Sequence, residues 1–420
     1  MALESSLTLL EQADDVASTS PQRAEELYRE LLNNNQVDES SLRDKESALL
    51  KLGSLFKDQN RVNDLAELVT ASRSFMSQVA KAKTAKIIRG LLDMFPVESR
   101  ELQMKVTQDN IEWATKEKRV FLRQSLDIKL ISLQLDAGQY RPALTAIEGL
   151  LKELKQLDDK IILTEVYLLE SRAAHAIQNH TRAKTALTSA RTTANSIYCP
   201  PILQAQLDLQ SGVIMADDKD YKTGYSYFFE AFEGHTQVAE KDERALKALK
   251  YMLLCKVMMG LPDDVFSSLL LKSAQPYAGR DLDAMKAAAV ALKDRSLESF
   301  KTALKDYTQE LQKDPLIRSH LSFLYDTLLE QNLVRIIEPY SNVEISWVAE
   351  EVGQSSQVVE EKLSQMILDG IFHGVLNESL GTLEVHDQAA EEPIYTSVSD
   401  TLKNVNEVVK SLYDKAAQVV

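Results

Sequence analysis

The chain has 420 residues, of which 44% are hydrophobic and 26% are charged, and its formal net charge is −15. Both fractions lie near the globular average, so most of the chain is expected to fold around a buried core. The acidic balance argues against a duplex-binding protein and against attachment to an anionic membrane surface, because both depend on positive charge. The low numbers of glycine (13) and proline (10) are typical of a helical protein.

The sequence gives little indication of a targeting segment, a membrane span or disulfide bonds. The first residues, MALESSLTLLEQADD, carry acidic groups where a signal peptide would carry Arg or Lys, and no apolar run approaches the roughly 18 residues needed to span a bilayer. Cys199 and Cys255 are too few for a disulfide framework. We therefore expect a protein of the cytoplasm and nucleus, with no membrane partner.

A period of about forty residues organises the first part of the chain. A short polar loop leads repeatedly into a helix with a small or apolar residue three positions on, at Ala24, Leu65, Ala143, Ala183 and Gly224. The intervals from 24 to 65, 143 to 183 and 183 to 224 are 41, 40 and 41 residues, and the longer gap leaves room for a unit near position 105. This spacing predicts an all-α superhelical solenoid of tetratricopeptide-like helix pairs. The alternative is an ordinary helical domain with coincidental spacing.

Breaks in the helical pattern agree with this interpretation. Pro200 and Pro201 should end one helix and open the next, because a proline disfavours the α conformation before it and tolerates the first helical position.

A different pattern begins after a helix over about 319 to 337. A short strand, a helix ended by Gly353, a helix from Ser355 or Ser356 to Asp369, and two apolar runs around the turn NESLG follow in order. That order predicts a small α/β winged-helix module. The residues that we expect in its sheet are Val343, Ile345, Phe372, Val375 and Leu383.

Winged helices commonly read DNA through their second helix, so nucleic-acid binding is an alternative function. Here that helix carries Glu360, Glu361 and Asp369 against a single lysine, Lys362. Carboxylates facing phosphates would oppose binding. Contact with a neighbouring protein, by addition of a strand to its sheet, is favoured instead.

The last segment, 396–420, has the pattern of a helix that packs in a bundle. Apolar residues step by four and three, as in a coiled-coil seam, and we expect them to meet helices of other subunits, although folding back on the chain is an alternative. This seam consists of Val398, Leu402, Val405, Val409, Leu412 and Ala416.

Catalytic and metal-binding motifs are missing from the sequence. The six histidines include no pair at the spacing of a helical zinc site, and no phosphate-binding loop or nucleophile elbow occurs. Trp113 and Trp347 lie in helical stripes and are expected to be core anchors. We expect no enzymatic activity, no cofactor, no metal and no small-molecule substrate.

Basic residues cluster in two stretches, which are either solvated helix faces or docking sites for an acidic protein surface. The first stretch contains Lys81, Lys83, Lys86 and Arg89, and the second contains Lys116, Lys118, Arg119 and Arg123.

Several long strings resemble members of the PCI family, whose subunits build the proteasome lid, the COP9 signalosome and an initiation factor. They include ALTSARTTANSIYCPPILQAQLDLQSG at 186 to 212, YSYFFEAFEG at 225 to 234, LKYMLLCKVM at 249 to 258, LLEQNLVRIIEPYSNVEI at 328 to 345 and EEKLSQMILDGIFHGVLN at 360 to 377. Within the family the resemblance is closest to a lid subunit of the 26S proteasome.

This resemblance implies three modules: N-terminal repeats over 1–220, a PCI domain over 221–388 with a helical part at 221–318 and the winged helix at 319–388, and a bundle helix at 396–420. It also implies a scaffold whose helical arm contacts the core α-ring and the ATPase ring, and whose winged helix joins other lid PCI subunits. The first basic stretch is the candidate for core docking. A PCI scaffold of the signalosome or of an initiation factor is the nearest alternative.

Overall fold

A computed structural model of the chain describes residues 13, 20–33, 39–76, 81–96, 99–238, 242–294, 296–312, 314–377, 380–386 and 393–419. Nearly all of the described elements are helices, and a short 3₁₀ turn lies at Gln275–Tyr277. The helices are α1 Pro21–Asn33, α2 Glu39–Asp58, α3 Val62–Met76, α4 Lys81–Asp93, α5 Arg100–Lys116, α6 Val120–Asp136, α7 Tyr140–Leu157, α8 Lys160–Ala176, α9 His180–Asn195, α10 Pro201–Asp217, α11 Tyr221–Val238, α12 Glu243–Met258, α13 Pro262–Leu269, α14 Arg280–Lys293, α15 Leu297–Asp306, α16 Thr308–Gln312, α17 Pro315–Ile337, α18 Ile345–Val352, α19 Ser356–Leu368 and α20 Pro393–Val419. The strands are β1 Asn342–Glu344, β2 His373–Asn377 and β3 Thr382–His386.

The chain divides into two compact units, Met1–Ala248 and Leu249–Val420. In the first unit each helix from α5 to α10 packs against the next one along the chain. Helices two apart also touch, since α8 contacts both α6 and α10. Paired helices stacked in series produce this contact pattern. The predicted helical-repeat class is therefore confirmed, whereas the module boundaries at 220, 318 and 388 stay predictions.

The period is visible in the backbone as a repeated left-handed turn. Gly138, Gln178, Lys219 and Gly260 follow the ends of α6, α8, α10 and α12 with positive φ, at intervals of 40, 41 and 41 residues. After each of them, the next backbone N–H donates to the carbonyl five residues earlier, as from Gln139 to Gln134. This bond belongs to the Schellman motif, which satisfies carbonyl groups that the helix end leaves free. The same turn thus sets the reversal in each repeat.

The small residues at the predicted anchor positions are buried between helices. Ala24, Ala143 and Ala183 are fully buried, and Leu65 is nearly so. Helices α10 and α11 approach closely at Gly212, where a Cβ would lie 2.6 Å from the ring of Phe228. A larger residue at this position would force the ring to shift.

Pro201 opens α10 in the first-turn position, as the sequence predicts. Because proline has no N–H to leave unpaired there, the ring costs α10 no hydrogen bond. The prolines do not end the preceding helix, because α9 already ends at Asn195 and a proline restricts only the residue directly before it.

The second unit contains the winged-helix module. Its order is β1, α18, α19, β2 and β3, and the antiparallel sheet has the order β1-β3-β2. Gly353 ends α18 in the left-handed conformation, as predicted. Val343 in β1 lies opposite Leu383 in β3, and both side chains are buried against α18 and α19.

Two residues predicted for the sheet lie outside it. Ile345 is the first residue of α18, and Phe372 directly precedes β2. Both pack into the winged-helix core, Ile345 fully and Phe372 partly. An apolar residue beside a short strand is buried whether the strand continues or a helix begins, so alternation alone did not locate the strand ends.

We predict that Gly212→Ala lowers the free energy of unfolding by about 1–2 kcal/mol, because the new methyl group overlaps the Phe228 ring. Gly149 in α7 is the matched control, since nothing lies within 4 Å of a Cβ placed there. Gly149→Ala should instead add about 0.5–1 kcal/mol through helix propensity. Urea unfolding followed by circular dichroism measures both changes. Equal effects of the two substitutions would contradict the close helix approach at Gly212.

Candidate protein-interaction surfaces

Helix α20 presents its apolar seam to solvent. Every described side chain from position 397 to position 413 is exposed. The five described members of the seam, listed at the end of this paragraph, are between 51% and 64% exposed, while the side chain of Ala416 lies outside the described residues. The chain therefore leaves this part of the seam uncovered, which argues against folding back on itself. The members are Val398, Leu402, Val405, Val409 and Leu412.

The seam is large enough to contribute to assembly. Fully burying a Val or Leu side chain is worth about 1.5–3 kcal/mol, and half of each of these side chains is still accessible. Five such residues on one helix face favour association by several kcal/mol before the entropy of ordering is subtracted, by a rough count at ~0.8 kcal/mol each. An apolar stripe of this kind is typical of a bundle interface.

The edge strand β2 is the second candidate surface. In the described residues β2 pairs only with β3, so its outer edge has unpaired backbone groups. Val375 in the middle of β2 is 54% exposed, and Leu368, Ile371 and Leu380 beside it in sequence are exposed too. A free edge with apolar neighbours is a template for a further strand. Of the residues predicted for the sheet, Val375 is available for contact, whereas Val343 and Leu383 are core.

The second helix of the winged module, α19, has no face suited to nucleic acid. Its only basic residue, Lys362, forms a salt bridge of 2.9 Å with Glu330 of α17. Glu361 and Asp369 are exposed on the same module. Phosphates would meet uncompensated carboxylates here.

Trp347 does not anchor the core, contrary to the expectation from its helical stripe. Its side chain is 41% exposed and meets Tyr340, also exposed, edge to face with ring centroids 5.6 Å apart. Both aromatic residues flank β1, which is the first element of the winged-helix module in the sequence, whereas β2 comes near its end. Exposed aromatic pairs are common at protein interfaces because they bury a large area at low entropic cost.

The first basic stretch lies at α4. Lys86 and Arg89 are exposed, and the side chains of Lys81 and Lys83 lie outside the described residues. Arg89 reaches across to α6, where its guanidinium donates to the Ser125 hydroxyl. Lys86 therefore presents its charge to solvent, whereas Arg89 is positioned by a neighbouring helix.

The second basic stretch is mostly used inside the fold. Arg119 is only 8% exposed and lies over the ring of Trp113, 5.1 Å from its centroid. Arg123 pairs with Glu153 of α7 and lies 3.9 Å from Asp127. Of this stretch only Lys116 and Lys118 are exposed, which favours a structural role over docking.

The structure also shows an apolar surface that the sequence did not reveal. Exposed Phe121, Leu157 and Ile161 line a shallow depression of about 440 Å³ with Ile197, at the starts of α6 and α8 and the end of α7. These residues flank loops, where hydrophobic periodicity is interrupted, so a search for helical stripes passes over them. Their only signal is an apolar residue at each helix start.

The described residues contain no cluster of His, Cys, Asp and Glu that could hold a metal ion. No helix in that same part of the chain combines the length and the apolar character that crossing a membrane requires.

A stacked helical array, a winged-helix module and an uncovered last helix define a PCI-type scaffold. A PCI domain model matches residues 304–387, and a model of the 26S proteasome regulatory subunit RPN6 N-terminal domain matches residues 6–137.

Several full-length relatives agree. The chain is 50% identical to a probable 26S proteasome regulatory subunit rpn6 of Schizosaccharomyces pombe over 100% of both chains. It is 45% identical to the 26S proteasome non-ATPase regulatory subunit 11 homolog of Arabidopsis thaliana, over 94% of each. It is 44% identical to the 26S proteasome regulatory subunit RPN6 of Saccharomyces cerevisiae, again over 94% of each. The chain belongs to the family of the 26S proteasome regulatory subunit Rpn6.

The contact between α6 and α7 generates a prediction about pH. Burial raises the pKa of Asp127 from 3.8 to about 6; the charge of Arg123 lowers it, and that of Glu153 adds to the rise. Relative to the unfolded chain, the protonated carboxyl stabilises the fold fully below pH 3.8, and this contribution is lost as pH rises through about 6.

Asp127→Asn should therefore raise the free energy of unfolding at pH 7 by up to about 3 kcal/mol, at about 1.4 kcal/mol for each unit of the pKa rise. It should have little effect at pH 4, where the native carboxyl is already protonated in the fold. Thermal melts of both proteins from pH 4 to pH 7 measure the difference. A gap that stays constant with pH would show that Asp127 titrates normally.

Proposed function

We propose that this chain is a non-catalytic scaffold subunit in the lid of the 26S proteasome regulatory particle, supporting lid assembly and the association of the lid with the core for ubiquitin-dependent degradation. The observation that carries this proposal is the uncovered seam of α20 on a chain of the Rpn6 family. The relatives above are named as proteasome regulatory subunits, which favours this role over a signalosome or initiation-factor scaffold.

Each surface has a place in this function. The seam of α20 enters a helical bundle with the last helices of other lid subunits, and the free edge of β2 meets the winged helix of a neighbouring PCI subunit. Main-chain hydrogen bonds along an added strand would fix the register of that contact, while the exposed Val375 side chain would set its specificity.

The helical repeats contact the core α-ring and the ATPase ring in this proposal. The first basic stretch is the site of core docking, supported by the exposed charge of Lys86. Complementary charge across such a contact accelerates association and aligns the partners. The chain acts in the cytoplasm and nucleus and uses no substrate of its own.

The role of the seam is tested by Leu402→Asp/Val409→Asp. Both side chains are exposed, so the free energy of unfolding of the isolated chain should change by less than about 0.5 kcal/mol. Co-purification of lid subunits with the tagged variant should fall at least about tenfold, because two charges would be buried in an apolar bundle.

The matched control is Asn404→Asp/Ser411→Asp, which places the same charges on the opposite face of α20. This control should assemble normally, and native mass spectrometry of the purified complexes identifies the subunits retained. Recovery of intact lid with the seam variant would contradict the proposal that the seam of α20 packs in a helical bundle with other subunits.

The role of the first basic stretch is tested by Lys81→Glu/Lys83→Glu/Lys86→Glu, which leaves Arg89 unchanged. Association of lid-containing particles with the core should weaken by about tenfold and become less sensitive to salt, because like charges would then face each other. Lys105→Glu/Lys152→Glu/Lys222→Glu, at exposed lysines elsewhere in the repeats, is the control of equal charge. Native gels of particles assembled at low and moderate salt report the capped fraction. If both variants give the same fraction of capped core particles, the first basic stretch is a solvated helix face and not a docking site.

A further inference from the structure

A groove of about 390 Å³ in the first unit is also lined by basic residues. It differs from both basic stretches described above, although it shares Arg89 with the first of them. The groove is lined by residues of α4, α6, α8, α10 and α12, alternate helices of the stack. Three of its residues are arginines from three different helices: Arg89 of α4, Arg172 of α8 and Arg244 of α12. We call this surface the arginine groove.

The charges in the arginine groove do not cancel. Its lining contains four cations, the three arginines and Lys129, and two carboxylates, Asp93 and Glu165. Lys129 is paired with Asp93 at 2.5 Å. Four cations and two anions leave a local excess of two positive charges in a chain whose formal net charge is −15.

Within the described part of the chain, the three arginines have no carboxylate at contact distance. Among the residues that the structure describes, none of the three guanidinium groups forms a salt bridge, although Arg89 donates to Ser125. Arginine presents five N–H donors in a rigid fork that matches a carboxylate, so guanidinium groups without such partners in a groove are unused binding capacity.

Burial in the groove makes it energetically unfavourable to leave these charged groups without a partner of opposite charge. Burial lowers the pKa of Arg172, and the positive charge of Arg244 lowers it further, against the opposing influence of Asp136 and Glu165. Burial raises the pKa of Glu165, despite the nearby charges of Arg89 and Arg172. A bound anion would relieve the repulsion between Arg172 and Arg244, and its attraction to the largely buried Arg172 would be stronger than to a fully exposed arginine.

We propose that the arginine groove binds an extended segment of another protein rich in Asp and Glu, with the side chains of Arg89, Arg172 and Arg244 pairing with its carboxylates. An extended peptide rises about 3.3 Å per residue, so a short segment can span several helices and bring separate carboxylates to arginines on α4, α8 and α12. Glu165 would face a hydroxyl, an amide or a basic residue of the segment.

A polypeptide fits this site better than a nucleic acid. A phosphate backbone repeats one sign of charge without interruption and would meet Glu165 and Asp93 in the same groove. A short acidic segment with mixed neighbours can place a hydroxyl or an amide beside Glu165 instead.

The test uses the purified full chain and a fluorescein-labelled peptide of alternating Glu and Ser, with a Gln and Ser peptide of equal length as the probe control. Fluorescence anisotropy should show saturable binding of the acidic peptide, weakened by salt, and none of the Gln peptide. Arg89→Gln/Arg244→Gln should weaken binding at least about tenfold, because two charge-assisted contacts are lost. Both side chains are exposed, so this variant should melt like the native chain.

Two further variants distinguish recognition from general electrostatics. Lys152→Gln/Lys222→Gln removes the same charge outside the groove and should bind the acidic peptide as the native chain does. Arg172→Lys keeps the charge but removes the fork, and it should also weaken binding. The proposal is overturned by an acidic peptide that does not saturate, by equal affinity for the arginine variant and the lysine control, or by tighter binding of single-stranded RNA at the same groove.

Discussion

The close packing of consecutive helices is the constraint on which the rest of the structure depends. Small residues at the anchors let two helices approach, and the left-handed turn after Gly138, Gln178, Lys219 and Gly260 returns the chain at each repeat. Neither feature would suffice alone, since a turn without a small anchor would leave a gap and an anchor without the turn would have no partner helix. Their repetition places alternate helices side by side and forms the surface from which Arg172 projects.

The two units differ in the kind of side chain that they leave exposed. In the repeats, two arginines are held within the fold: Arg119 lies over Trp113, and Arg123 pairs between α6 and α7. In the winged-helix unit, apolar side chains that could have completed a core are instead exposed, at β2 and along α20. An exposed apolar residue is unremarkable singly, but a row of them on one helix indicates a missing partner. The contact surfaces proposed for the winged-helix unit are thus apolar, whereas those proposed for the repeats are charged.

The sequence predicts most of the fold, because helical periodicity and turn chemistry are local properties. The repeat spacing, the start of α10 at Pro201 and the order of the winged helix all follow from it. It places Ile345 and Phe372 wrongly in the sheet and Trp347 wrongly in the core, since burial beside a short strand depends on neighbours distant in the chain. The seam of α20 is readable from the sequence. The arginine groove is not, because Arg89 and Arg244 line the same groove only through the stacking of the helices between them.

The exposure of α20 determines when this helix becomes stable. A helix whose described side chains from position 397 to position 413 are all exposed gains little from packing, and isolated helices in water are held only by marginal propensity. Its amide protons are therefore expected to exchange quickly in the free chain and slowly once neighbouring helices enclose it. The last segment thereby records whether the subunit has been incorporated. An orphan copy would carry a loosely held apolar tail, the kind of feature by which quality-control factors distinguish unassembled proteins from finished complexes.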